Sequence, residues 1–129
     1  MGFTVLATDD TAIPTEFLSN VSHATALAFA EVLDVIQSSA WTNEPAFGGV
    51  HISPDVTPLT HALRQGYNGV TLSLEQCCRV HLGLRRTREF LATLSLATVT
   101  ELGAALWPIP SFAEAFAYAV GHCGTVVLD

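Results

Sequence analysis

The sequence contains no lysine. Its positive charge rests on five arginines, set against twelve aspartates and glutamates, for a formal net charge of -7. A surface this acidic repels phosphate backbones, which excludes a free-standing nucleic-acid binder. Charged residues make up only 13% of the chain while 50% are hydrophobic, where ordinary domains carry roughly a quarter charged. Such a shortage of charge implies that some apolar surface meets another subunit. Long hydrophobic runs are also missing, since no stretch of about 18 apolar residues occurs. The first twenty residues, with Asp9 and Asp10, lack the basic start of a signal peptide, so the expectation is an intracellular chain without membrane insertion. Three cysteines, Cys77, Cys78 and Cys123, are an odd number without framework spacing, which argues for reduced thiols. The length of 129 residues suits a single domain, 1-129, able to bury a real core.

What is present is chiefly helical periodicity. Residues 1 to 13 have no clear period and read as an extended arm. Pro14 to Leu18, a proline ahead of an acidic and apolar turn, reads as the start of a short helix. From Val21 the residues Ala24, Leu27, Ala28, Val32, Val35 and Ile36 recur at three and four positions, which predicts an amphipathic helix ending near Ser38 or Ser39. Between Trp41 and Pro58, three prolines and the pair Gly48-Gly49 predict a long irregular loop. Thr57-Pro58 then opens a helix that stops at Gly66. The Asn68-Gly69 turn signal separates it from a pattern through Leu72, Leu74, Cys77, Cys78 and His81 to Leu84, which predicts a helical hairpin. A second long helix is expected from Thr87 to about Leu106, with Gly83 a possible bend before it. Trp107-Pro108-Ile109-Pro110 ends it. Ser111 caps a short helix with Phe112, Phe116 and Tyr118, and Thr125 to Leu128 reads as an extended end.

No chemical site stands out. Cys77 and His81 share a helix face, but adjacent cysteines point about 100° apart, and a structural zinc needs four ligands, with only His122 or Cys123 to complete the set. Buried apolar cysteines are the plainer reading. A cysteine nucleophile lacks a local signature, and His23, His51, His61, His81 and His122 are dispersed without metal spacing. Gly48-Gly49 lacks a phosphate-loop context. No catalytic, metal or cofactor site is therefore expected. Arg79, Arg85, Arg86 and Arg88 could face a nucleic acid, yet pairing with Glu75 and Glu89 is the commoner role for such a cluster. Trp107 to Phe112 is the most informative stretch, because rigid prolines present large apolar side chains at small entropic cost, as interfaces favour. Ordinary core cover by this segment is the equal alternative.

Several motifs, in order, resemble the core (capsid) protein of hepatitis B virus and its relatives, in the pattern of a distant fish-virus relative of the non-enveloped nackednavirus kind. Phe3-Thr4-Val5 followed by Pro14 to Val21 is similar to the family's start. His51-Ile52-Ser53-Pro54 and Thr60 to Gln65 resemble its His-Cys-Ser-Pro and Thr-Ala-Leu-Arg-Gln. Gln76 to His81, with Arg88-Glu89, resembles its segment ending in Trp-Phe-His and its Gly-Arg-Glu. Trp107 to Phe112 resembles its Trp-x-x-x-Pro-Pro-x-Tyr assembly segment, and Thr125-Val126-Val127 its linker.

The resemblance implies an all-α, hepatitis B core-like capsid fold with a shortened central helical hairpin and extended termini. It implies a homodimer whose hairpins pair, here through Leu72, Leu74, Cys77, Val80 and Leu84. Dimers would join into an icosahedral shell enclosing the viral genome through Val99, Leu102, Trp107, Pro108, Pro110 and Phe112, with Phe112 inserted into a neighbour. The location implied is the virion capsid, and the host cytoplasm and nucleus during assembly. Two departures are plain. Gln65 and His81 stand 16 positions apart, about 24 Å as one helix, too short for a tall spike. The arginine-rich tail through which the family binds nucleic acid has no counterpart in this sequence. A reading from a different class is a small dimeric helical adaptor that binds a protein partner through the same Pro-aromatic segment. A cysteine-dependent enzyme is a minor third.

Overall fold

A computed structural model of the chain describes residues 2–38, 44–46, 50–65 and 69–129. Side chains are described for all of these except 44–46 and 50–52. Strand β1 (Gly2–Thr8) turns back into β2 (Pro14–Ser22), which leads into helix α1 (His23–Gln37). Strands β3 (Glu44–Ala46) and β4 (Val50–Ile52) form a small antiparallel pair, followed by α2 (Thr57–Gln65), β5 (Val70–Leu72) and the long α3 (Leu74–Leu91). Helices α4 (Leu96–Leu106) and α5 (Ile109–Gly121) and strand β6 (Val126–Leu128) complete the order.

The all-helical expectation is corrected. Among the described residues, five helices pack with a four-stranded antiparallel sheet of order β2-β1-β6-β5. The two segments read as extended ends pair with each other, Val5 opposite Leu128 and Ala7 opposite Val126. Val5, Ala7, Val126 and Leu128 are buried on one face of the pleat, so alternation over very short segments carries the signal. The turn between β1 and β2 is fastened by Asp9, whose Oδ1 accepts from the Thr11 amide at 2.9 Å, the Thr11 hydroxyl at 2.6 Å and the Ile13 amide at 3.1 Å. The Thr11 hydroxyl, then the Ile13 amide, hold its carboxyl below the usual range.

Pro14 to Leu18 is the first part of β2 and not a helix. Its pairing with β1 slips twice, each time by one extra residue on β2, between Val21 and Leu18 and again between Leu18 and Glu16. Asn20, in the first of these irregular stretches, sits in the left-handed region at φ 57°, a conformation one class of bulge uses. These bulges leave neighbouring Phe17 and Leu18 both half-buried against the core, which hid the period-two pattern.

Helix α1 ends as its periodicity predicts. Ser22 caps its start, accepting from the Thr25 amide at 3.1 Å. The loop expected between Trp41 and Pro58 contains β3 and β4, so part of it is regular; Trp41, Gly48 and Gly49 lie outside the described residues, as do Tyr67 and Asn68 of the turn. No helical hairpin follows α2. Strand β5 intervenes and pairs with β6, Leu72 opposite Val126, a long-range pairing invisible to local periodicity. Ser73 then caps α3 in a reciprocal box with Gln76.

The single helix expected from Thr87 to Leu106 is two. Helix α3 closes at Leu91, and Ser95 caps α4 by accepting from the Thr98 amide at 3.2 Å. Helix α5 begins at Ile109 with Pro110 in its first turn, where a missing amide proton costs no helical hydrogen bond.

Phe29, Leu33, Leu59, Val80, Phe112 and Phe116 form the centre of one continuous core that reaches from α1 to the sheet. Gly83 brings α3 onto residues 55 and 56, where an added Cβ would stand 2.7 Å from a Val56 methyl. No helix among the described residues is long and apolar enough to cross a membrane.

Candidate assembly surface

Helix α3 carries four of the five arginines. Arg79 pairs with Glu75 at 3.2 Å, and Glu89 takes Arg86 at 3.2 Å and Arg85 at 3.8 Å. The cluster is thus largely matched to acids on its own helix, as expected. Arg88 is exposed and makes no ion pair among the described residues.

Two hollows open along this helix. One, of about 600 Å³, lies between α3 and α5, floored by Leu84, Ala92, Ala113 and Ala117 and edged by His81, Arg85, Glu89 and Glu114. The other, of about 360 Å³, lies between α3, α4 and the start of α5, lined by Leu91, Val99, Gly103, Leu106, Trp107 and Ile109. Arg88 and Pro110 border both, so the two form one groove with a single unpaired guanidinium at its middle. Trp107 in its lining is 51% exposed, and Leu96 at the start of α4 is 82% exposed, both costly to leave in water. Burial, then the charge of Arg85, lowers the pKa of His81, which keeps its ring neutral in the groove wall at neutral pH.

Of the contacts implied between dimers, Val99, Trp107 and Pro110 meet at this groove. Leu102 is half-buried against the core, and Pro108 is buried. Phe112 is corrected. It is fully buried and stacks on Phe29 inside its own chain, with centroids 5.1 Å apart, because α5 turns that face inward. It cannot insert into a neighbour without emptying the core.

The implied dimer contacts are corrected in the same way. Leu72, Cys77, Val80 and Leu84 are 3% exposed or less, consumed by the packing of α3 and β5 within one chain, and only Leu74, at 37%, reaches the surface. Cys77 donates to the Leu72 carbonyl at 3.5 Å, and burial pushes its thiol up to about 12. Burial likewise raises Cys78, helped by Cys123 and Glu75. Both thiols are thereby held protonated, which works against a nucleophilic role. Among the described residues no cluster of His, Cys, Asp and Glu could hold a metal ion.

Sequence reasoning missed the groove as a whole because the break at Ala92 to Ser95 makes it. The signal available was the spacing Ser95-x-x-Thr98, the same cap that opens α1 as Ser22-x-x-Thr25. Comparison with protein families, curated proteins and solved structures finds no match to this chain.

Proposed function

We propose that this chain is a structural subunit that associates with copies of itself to build a closed shell, a viral capsid in the reading its sequence resemblance supports. The observation that carries this is the groove at α3, α4 and α5, where three of the contacts implied by the resemblance converge, the exposed Trp107 among them. The proposal rests on that surface and on composition, and it assigns the buried Phe112 to the fold alone. Its assembly contacts are Val99, Trp107 and Pro110, supported from behind by Leu102 and Pro108.

The energetics suit a shell. Apolar contacts worth a few kcal/mol each become cooperative when symmetry closes them into many simultaneous contacts. Subunits of net charge -7 repel one another, and salt screens that repulsion while leaving apolar burial intact. Nucleic acid would enter only through a basic segment that this sequence does not contain. The experiment is light scattering and electron microscopy of the purified protein as salt is raised from about 0.15 M to about 1 M. Particles of megadalton size that grow with salt support the reading. A species no larger than a dimer at every concentration, or particles that salt dissolves, overturns it.

A further inference from the structure

Helix α1 has a second apolar face. Ala26, Phe29, Ala30, Leu33 and Ile36 point into the core, as an amphipathic helix should. On the solvent side, Ala24, Leu27, Ala28 and Val35 recur at three, four and seven positions, with Leu27 39% and Val35 65% exposed. That spacing is one continuous stripe. Of its two carboxylates, Asp34 at the edge, seven after Leu27, is taken by Arg64, and Glu31 is exposed and without an ion pair among the described residues. A helix apolar on two opposite faces, with one unpaired carboxylate on the outer one, is built to be covered.

The groove along α3 has the complementary character. Its floor is apolar, Glu89 is already taken by Arg85 and Arg86, and the unpaired Arg88 stands where the two hollows meet. Of the charged lining residues, Arg85 and Glu89 pair with each other, which leaves Arg88 and, across on the α5 wall, Glu114. The dimensions agree as well. The stripe from Ala24 to Val35 and the groove wall from His81 to Ala92 each span eleven residue steps, about 16 Å of helix. Glu31 stands seven after Ala24 and four before Val35, and Arg88 stands seven after His81 and four before Ala92. With the helices side by side in either direction, Glu31 falls within one turn of Arg88.

We infer that the α1 face of one subunit docks in the α3–α5 groove of the next, with Glu31 paired to Arg88. This deepens the self-assembly reading and rests on it, since it names the occupant of the groove as a second copy of this chain. The contact is heterologous, two different surfaces on each subunit, and therefore propagates from copy to copy until a symmetric closure satisfies both. Burial of the stripe supplies the attraction, and the charge pair fixes register and excludes a shifted docking.

The test is charge reversal in the full chain: Glu31→Arg, Arg88→Glu, and the two together, each compared with wild type for assembly by light scattering and for folding by thermal melting. Both residues are exposed, so the folds should melt alike. Each single reversal should raise the protein concentration needed for assembly by about tenfold or more. The double reversal should return it to near the wild-type value. Singles that assemble like wild type, or a double variant no better than the singles, overturn this docking while leaving a shell-forming protein intact. Open chains or small rings that still show the rescue uphold the docking and overturn the shell. A wild type that does not self-associate at any salt overturns both.

Discussion

The rings of Phe29 on α1 and Phe112 on α5 stack with their planes inclined by 28° and both side chains fully buried. This contact locks the first and last helices together across the core. Phe112→Ala should therefore lower the unfolding free energy by about 3–5 kcal/mol, the loss typical of a buried phenylalanine. Denaturant titration measures it. A variant as stable as wild type but unable to assemble would instead place Phe112 at an interface.

Trp107, two residues before α5 begins, is half in water and caps the smaller hollow. Its replacement by alanine removes little internal packing, so stability should change by less than about 1 kcal/mol. Assembly should weaken by at least about tenfold, as expected for an aromatic anchor. Sedimentation or scattering separates the two effects, and a variant that assembles normally would remove Trp107 from the contact.

Cys77 sits under β5, fully buried, with its thiol donating to the Leu72 carbonyl. Its folded pKa, pushed up to about 12, lies above the ordinary value of 9.0, so above pH 9 the unfolded chain releases a proton that the folded chain keeps. Stability from this group is full below pH 9 and is lost as pH climbs from 9 toward 12. Replacing Cys77 by alanine or valine should flatten that alkaline fall, seen in melting temperatures across this range. In the folded protein at pH 8, alkylation should label the exposed Cys123 well ahead of Cys77.

Gly124 lies where the chain turns from α5 into β6, and a Cβ there would stand 1.8 Å from the Thr8 carbonyl oxygen. That atom is backbone and cannot rotate away, so Gly124→Ala must shift β6 from β1. The expected cost is about 1–3 kcal/mol, together with loss of the hydrogen bonds joining Thr8 and Thr125. Amide exchange at Thr8 and Thr125 reports it directly. Protection equal to wild type would mean that the turn relaxes without disturbing the sheet.

Much of the helical content was legible in the chain. Helix α1 follows from the spacing of its apolar residues and α2 from Thr57-Pro58, because a helix is fixed by neighbours three and four positions away and by its first turn. The arginine pairing on α3 was equally readable, since Glu75 and Arg79 are one turn apart.

The sheet was not. Strands of three residues such as Val70–Leu72 and Val126–Leu128 carry almost no period of their own and exist because each pairs with a segment distant in sequence. The candidate site divides along the same line. By itself the sequence determined an acidic, lysine-free chain, half of it hydrophobic, and it singled out the Trp107 to Phe112 segment. Only the tertiary structure decided that Trp107 faces water while Phe112 does not. That choice depends on how α5 rolls against α1, a packing relation that no local pattern encodes.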